Sequence, residues 1–270
     1  MDNHVHTQWS WDAPPEASMA RSCEQALAAG VPAVAFTDHL DFTVAAEGDR
    51  IAVEHISPRP YRRMRLLDVP GYLAAVQDCR ERYPELRILS GAEIGEAHLW
   101  EASARAVAQR AGFDRILGSL HAIPFDGRLT AADELFRRMP ADEVMRRYLA
   151  ELLLLIEGSD LFQVLAHMDF PRRAWPRTAP HYDVRAFEPE IRAVMRALAA
   201  SGRVLEVNTK SRLWPAELLM WWRDSGGTAV SFGSDAHQYW RVGDRFKAAV
   251  DMAEAAGFRA GRDRFDFWRV

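Results

Sequence analysis

Thiols, lysines and long apolar runs are all scarce in this 270-residue chain. Two cysteines, Cys23 and Cys79, are too few for a disulfide framework or a Cys-rich zinc site. Both fall in segments with helical spacing and read as buried apolar side chains. No apolar run nears the ~18 residues of a membrane-spanning helix; the best, Leu152 to Ile156, is flanked by Glu151 and Glu157. The opening Met1-Asp2-Asn3-His4 has neither a basic stretch nor an apolar one, so a cytoplasmic protein is expected. Lysine is nearly absent, with two against 32 arginines, and the net charge of −4 argues against a general nucleic-acid binder. Internal repeats, low-complexity tracts and polar linkers are also missing, which points to one domain over 1–270. What is present, 49% apolar and 27% charged residues, is an ordinary globular composition with ample material for a continuous core.

Seven short apolar, β-branched runs punctuate the chain: 2–6, Ala33–Thr37, Arg87–Ala92, Arg115–Ser119, Leu161–Ala166, Arg203–Asn208 and Thr228–Ser234. Longer segments with helical spacing lie between them. The clearest is 184–200, with Val184, Phe187, Ile191, Val194, Met195 and Leu198 on one face and Gly202 beyond its end. Another is 246–256, closed by Gly257. Strand and helix in alternation predict a parallel α/β sheet, because parallel neighbours need crossover connections. Seven units are many for an open sheet and close to the eight of a TIM barrel. In either arrangement the chemistry belongs at the carboxyl ends of the strands. The long segments 40–68 and 168–183 are expected to cover that end.

Each strand end delivers an imidazole, a carboxylate or an amide. The first gives His4 and His6, with Asp12 six residues on. The next give Asp38 and His39, Glu93, His121, then His167 and Asp169. The last two give Glu206 and Asn208, then Asp235 and His237. Residues i and i+2 of a strand face the same side, so His4 and His6 form a two-nitrogen claw that Asp235 and His237 repeat. In a closed barrel the first and seventh strands are neighbours and the two claws converge. One histidine at a strand end is ordinarily a loop residue; six of nine there, interleaved with acids, predict a metal site. Imidazole and carboxylate without thiolate suit Zn, Mn or Fe. His55, His98 and His181 fall outside the pattern and read as loop residues.

The motifs D-N-H-V-H-T at 2–7, F-T-D-H at 36–39, G-A-E at 91–93 and G-S-L-H at 118–121 continue with A-H-M-D at 166–169, L-E-V-N-T at 205–209 and G-S-D-A-H at 233–237. Together they resemble the PHP family, named for its polymerase-associated and histidinol-phosphatase members, over nearly the whole chain. The wording is most similar to the histidinol-phosphate phosphatase branch. The resemblance implies a distorted (β/α)7 TIM-like barrel with two or three divalent metal ions. It places one ion on His4, His6, Glu93 and Asp235, a second on Glu93, His121 and His167, and a third on Asp12, His39 and His237. Glu93 is then a bridging carboxylate. The implied reaction is hydrolysis of a small-molecule phosphate monoester, L-histidinol phosphate above all, by a metal-bound hydroxide, with no role for a membrane or nucleic acid. Asp235, His237 and His39 are the candidates for protonating the leaving alkoxide.

A phosphate dianion also needs fixed positive charge. Lys210, just past the sixth strand, and Arg212, Arg172 and Arg173 in comparable loops are the candidates, with Asn208 beside them. Asp38 and Asp169 are candidates to fix ring tautomers by accepting from ligand histidines. Trp9, Trp11, Trp100, Trp175, Trp214 and Trp240 lie near strand-end motifs and suit an aromatic wall around a flat leaving group. Three rival readings keep the metals: a PHP-type phosphodiesterase or exonuclease, an amidohydrolase-type deaminase or lactonase, and a non-enzymatic metal-dependent regulator. The amidohydrolase reading suffers because its barrel has eight strands with the bridge on the fourth, whereas Glu93 lies on the third of seven.

Overall fold

Seven parallel strands line up in chain order. They are β1 (Asp2–Val5), β2 (Ala33–Phe36), β4 (Arg87–Gly95), β5 (Arg115–Ser119), β8 (Val164–Leu165), β9 (Val204–Asn208) and β10 (Ala229–Gly233). The computed structural model describes residues 1–14, 16–42, 65–210, 214–263 and 265–270. The ends of the sheet meet: Asp235 N donates to His4 O at 2.7 Å and His6 N to Ala236 O at 2.9 Å, forming a parallel bridge between Val5 and Ala236. That closure makes a distorted seven-stranded barrel, and it brings the two claws to adjacent positions on its rim.

Three additions were not read from the sequence. Strand β3 (His39–Leu40) runs parallel to the second half of β4. Strands β6 (Ala122–Phe125) and β7 (Arg128–Ala131) form a hairpin after β5, turned by Asp126 and Gly127 with φ of 50° and 71°. Strand β11 (Trp268–Arg269) pairs antiparallel to β10. The expected strand over 161–166 contracts to β8, although Gln163 and Ala166 still donate to β5 carbonyls on either side of it.

The helices are α1 (Met19–Ala28), α2 (Val69–Arg82), α3 (Glu101–Ala111), α4 (Ala141–Gly158), α5 (Glu188–Ala200), α6 (Glu217–Asp224) and α7 (Phe246–Ala255). Asp68 caps α2 by accepting from Gly71 N at 3.2 Å, with Pro70 in the first turn where a missing N–H costs nothing. The segment expected as one helix over 184–200 begins as a 3-10 turn at 184–187. It becomes α5 at Glu188, with Pro189 in the first turn. The longest helix, α4, buries Val144, Met145, Tyr148, Leu149, Leu152, Leu155 and Ile156, a spacing that keeps one face on the barrel. Each such side chain contributes about 1.5–3 kcal/mol by leaving water. Cys23 and Cys79 are both buried in the core. Among the described residues no helix is long and apolar enough to cross a membrane.

Alternation along the strands sorts the interior into two layers. Leu117, Val164, Ala166, Val204 and Ala229 form a separate apolar cluster with Phe267, which follows from side chains facing inward at the amino-terminal half of the barrel. Two residues further along β9 and β10 the inward positions are Glu206 and Ser231, then Asn208 and Gly233. The polar layer therefore begins where the apolar one ends.

Candidate metal centre

Glu93 is at the centre of the polar layer, 1% exposed, and its two oxygens face different partners. Oε2 lies 3.4 Å from His4 Nε2, 3.3 Å from His6 Nε2 and 3.2 Å from His39 Nδ1. Oε1 lies 2.6 Å from His167 Nε2 and 3.3 Å from His121 Nε2. A carboxylate with imidazoles on both oxygens has the arrangement of a bridge between two cation positions. Around it, Asp235 Oδ1 is 3.6 Å from His6 Nε2 and 3.4 Å from His237 Nδ1. Asp12 Oδ2 is 2.8 Å from His237 Nε2 and 3.4 Å from His39 Nε2.

Four donor groups close enough to hold a cation result: His6, Asp12, His39 and His237; His4, His6 and Asp235; His4, Glu93 and His167; His39, Asp41 and His121. All nine positions singled out in the sequence occur in these groups. The partition differs from the expected one: Glu93 is absent from the group of His4, His6 and Asp235, and His4 joins Glu93 and His167 instead. His6 also reaches the Asp12 group, and His121 groups with His39 and Asp41, a carboxylate the sequence reading passed over. Asp41 was findable, because it lies two residues from His39 on an extended segment and so shares its face.

The donors fit cations on their own chemistry. His4 Nδ1 is 2.7 Å from Glu206 Oε1. His6 Nδ1 is 2.9 Å from Ser10 Oγ, whose hydroxyl donates to Asp38 Oδ1 at 2.7 Å. With both Nδ1 atoms directed to buried acceptors, the two Nε2 atoms, 3.0 Å apart, face each other with room for one shared proton or a cation, not two protons. His39 Nδ1 and Asp41 Oδ1 are buried without a hydrogen-bond partner, a costly condition that a ligand would relieve. Charge is arranged to match. Burial opposes ionisation of Glu93, yet His4, His121 and His39 hold its carboxyl well below the usual range. Burial is likewise outweighed at Asp235 by Lys210 and Arg173. Burial, reinforced by His237 and His39, pushes His6 well below its usual value, and burial also lowers His167. The cage thus offers ionised carboxylates and at least two neutral imidazoles, the states that coordination needs.

Above the cage is a cavity of about 100 Å³ lined by Trp11, Phe170, Arg173 and Lys210 in addition to the candidate ligands. Lys210 Nζ donates to Asp235 Oδ1 at 2.7 Å and lies 3.0 Å from His237 Nδ1. Arg173 Nη2 donates to Asp235 Oδ2 at 2.7 Å and Asn208 Oδ1 at 3.0 Å. The other expected anion contacts fare differently. Arg172 turns away, donating to Asp169 Oδ2 at 3.2 Å with its guanidinium 5.2 Å from the Tyr182 ring, and lines an outer groove of about 550 Å³. Adjacent residues of a 3-10 turn point in different directions, so only one of the pair faces inward. Asn208 is behind Asp235 with its amide spent on Glu206, Asp235, Arg173 and the Lys210 N–H, and it does not line the cavity. Arg212 lies outside the described residues.

Asp38 meets a candidate ligand ring only through Ser10, whose hydroxyl donates to Asp38 Oδ1 and lies 2.9 Å from His6 Nδ1. Asp169 does not contact His167 by hydrogen bond and instead pairs with Arg172. Of the six tryptophans, Trp11 lines the cavity, while Trp100 and Trp214 are core and Trp240 is 54% exposed. The aromatic wall is Trp11 and Phe170, the latter 5.0 Å from the His121 ring and 5.2 Å from that of His167. His98 is bonded to Glu151, His181 lines the outer groove, and His55 lies outside the described residues.

The family model for the PHP domain matches residues 2–210. The chain is 23% identical over 265 residues to the histidinol-phosphatase of Lactococcus lactis subsp. lactis strain IL1403, covering 96% of this chain and 91% of that protein. It is 28% identical over 278 residues to a Deinococcus radiodurans protein named "Probable histidinol-phosphatase", covering 96% and 94%. The crystal structure of the Lactococcus lactis histidinol phosphate phosphatase, complexed with zinc, L-histidinol and phosphate, matches with a TM-score of 0.80 at 22% identity, over 96% of this chain and 94% of that one. That likeness shows a shared fold, and the match over 2–210 shows the family: this chain belongs to the PHP domain family.

Proposed function

We propose that this barrel is a metal-dependent phosphatase acting on a small phosphate monoester, L-histidinol phosphate above all, with two or three divalent ions of the Zn, Mn or Fe type. The observation that carries the reading is the divided carboxylate of Glu93, with imidazoles on both oxygens, directly beneath a cavity bearing Lys210 and Arg173. Relatives named histidinol-phosphatase along nearly the whole chain support the substrate.

Divalent ions in this cage would supply a lowered pKa for a coordinated water and positive charge toward the phosphoryl group. His4, His6, Glu93 and Asp235 would hold one; Glu93, His167 and His121 would hold another; Asp12, His39 and His237 would hold a third. Lys210 and Arg173 present positive charge from the cavity wall, and both touch Asp235, so they stand next to the metal cage. That pairing keeps Asp235 ionised, so it is not the acid sought for the leaving group. His237, with a side chain 12% exposed against 6% for His39, is assigned the proton donated to the leaving alkoxide in the two-ion form of the cage, in which it holds no metal. Trp11 and Phe170 line the cavity and offer aromatic faces to a flat leaving group.

The test is phosphate release from L-histidinol phosphate and from mono- and bis-(nitrophenyl) phosphate, with metal content measured in parallel. Release from histidinol phosphate above all monoesters is expected. Faster turnover of the diester would defeat the monoesterase reading, and release from other phosphates with none from histidinol phosphate would defeat the substrate.

A further inference from the structure

Glu206 is buried in the polar layer yet is not among the nine candidate ligands. Its two oxygens serve different strands. Oε1 accepts from His4 Nδ1 at 2.7 Å, and Oε2 accepts from the backbone N–H of His167 at 2.7 Å and from Asn208 Nδ2 at 3.1 Å. His4 is on β1, two strands away from β9, with β10 between them. The reach passes over Gly233 of β10, where a Cβ would overlap Glu206 Oε1 and stand 2.6 Å from His4 Cβ. On the other side His167 follows β8, the neighbour of β9, and holds a φ of 21°, a conformation that costs energy for a residue with a side chain.

We infer that Glu206 is a positioning residue that braces two candidate ligands at once, His4 through its ring and His167 through its backbone, and that Gly233 is a glycine because this reach requires one. The inference rests on reading His4 and His167 as metal ligands. A carboxylate on Nδ1 fixes the tautomer in which Nε2 carries the lone pair, and it makes that nitrogen more basic. The hydrogen bond to His167 N holds a strained backbone in a setting that puts its Nε2 2.6 Å from Glu93 Oε1. His4 Nε2 faces Glu93 Oε2 and His167 Nε2 faces Oε1, so one carboxylate aligns donors at both oxygens of the bridge, and His4, Glu93 and His167 also form one donor group. His6 has a brace of its own in Ser10 and Asp38, which touches neither His4 nor His167 by hydrogen bond.

The test titrates metal-free protein with zinc against a chromophoric chelator for the wild type, Glu206→Gln, Gly233→Ala and Ser10→Ala. A glutamine turns its amide N–H either to His4 Nδ1, which forces the proton of that ring onto Nε2, or to His167 N, donor against donor, and it leaves the other contact a neutral acceptor in place of a charged one. With one brace lost and the other weakened, Glu206→Gln is expected to weaken two zinc-binding steps, the more affected by about 10- to 100-fold. Gly233→Ala, which displaces the same carboxylate, shifts the same two steps, whereas Ser10→Ala, which deletes the hydroxyl that meets His6 Nδ1 at 2.9 Å and the His39 N–H at 3.1 Å, leaves the step held by Glu93, His167 and His121 unshifted. Circular dichroism in chelator identifies any variant that is unfolded. For that case, long-range 1H–15N spectra of the wild-type holoprotein give an independent answer: the His4 proton is expected on Nδ1. Zinc affinities within threefold of wild type in folded Glu206→Gln, a shift confined to one step, or a His4 proton on Nε2 each overturn the inference. A wild type that takes up no zinc overturns the metal reading beneath it, a result distinct from all of these.

Discussion

Replacing Glu93 by Gln keeps the size of the side chain and deletes its charge, so it isolates the bridge. Five imidazole nitrogens lie within 3.4 Å of the two Glu93 oxygens. The amide nitrogen of Gln cannot accept or ligate, so one side of the bridge is lost whichever way the amide turns. The consequence is calculable by linkage. A ligand at 100 times its dissociation constant adds about 2.7 kcal/mol to stability. Unfolding entropy near 60 °C is about 2.1 cal/mol/K per residue, hence about 0.6 kcal/mol/K for a chain of this length. Each occupied site should therefore raise Tm by about 5 °C. A site weakened 100-fold, at the same zinc concentration, contributes about 0.4 kcal/mol and raises Tm by less than about 1 °C. Thermal melts of wild type and Glu93→Gln across a zinc series read this directly, with the chelated proteins as baselines.

Activity should fall further than stability. Loss of several kcal/mol of transition-state charge stabilisation, at 1.36 kcal/mol per tenfold, corresponds to about a thousandfold drop in phosphate release. A Glu93→Gln protein with the full zinc-dependent rise in Tm and near-native turnover would refute the bridging role and the assignment of the cage with it.

Other predictions follow from the cavity wall, the protonation states and the packing. Lys210→Met should lower kcat/KM about 10- to 100-fold, the worth of one charge-assisted hydrogen bond, with zinc stoichiometry unchanged; zinc loss in step with activity would instead make Lys210 part of the cage. Although burial opposes it, Asp12 and Glu93 push the His39 pKa up to about 10, so a cation must displace a proton from this ring at neutral pH. Zinc affinity should accordingly rise with pH. In metal-free protein the raised folded-state pKa stabilises fully below the ordinary value of 6.5, and that contribution is lost as pH rises through about 10. Calorimetry at pH 8 in buffers of different ionisation enthalpy measures the release, and its absence would count against His39 as a ligand. Gly118→Ala places a Cβ inside the Phe162 ring and should cost about 1–3 kcal/mol in denaturant melts while leaving zinc affinity intact; a cost below about 0.5 kcal/mol would show that Phe162 yields freely.

Much of this architecture is local and so could be read along the chain. Each barrel strand is a short apolar run, and each candidate ligand is within a few residues of a strand end, so periodicity and position were enough to gather His4, His6, Glu93, Asp235 and the rest. The hairpin β6–β7 was local too. Asp126-Gly127, with both residues at positive φ, is the ordinary signal of a two-residue turn, but it was obscured between the strand at 115–119 and the longer helix at 141–158.

What escaped depends on direction and on contacts far apart in sequence. Arg172 and Arg173 are indistinguishable as letters, and a rotation about a 3-10 turn puts one on Asp235 and the other on Asp169. Glu206 is visible as an acid at a strand end, the same description that fits Glu93, yet one sits at the focus of five imidazoles and the other behind two of the ligands. The difference is set by neighbours. Glu93 is flanked by β3 and β5, whose ends carry His39 and His121, whereas Glu206 has Gly233 on one side and a backbone N–H on the other. A strand motif states which side chain enters the barrel; what that side chain meets is decided by the strands beside it, and here by a glycine that leaves the way to His4 open.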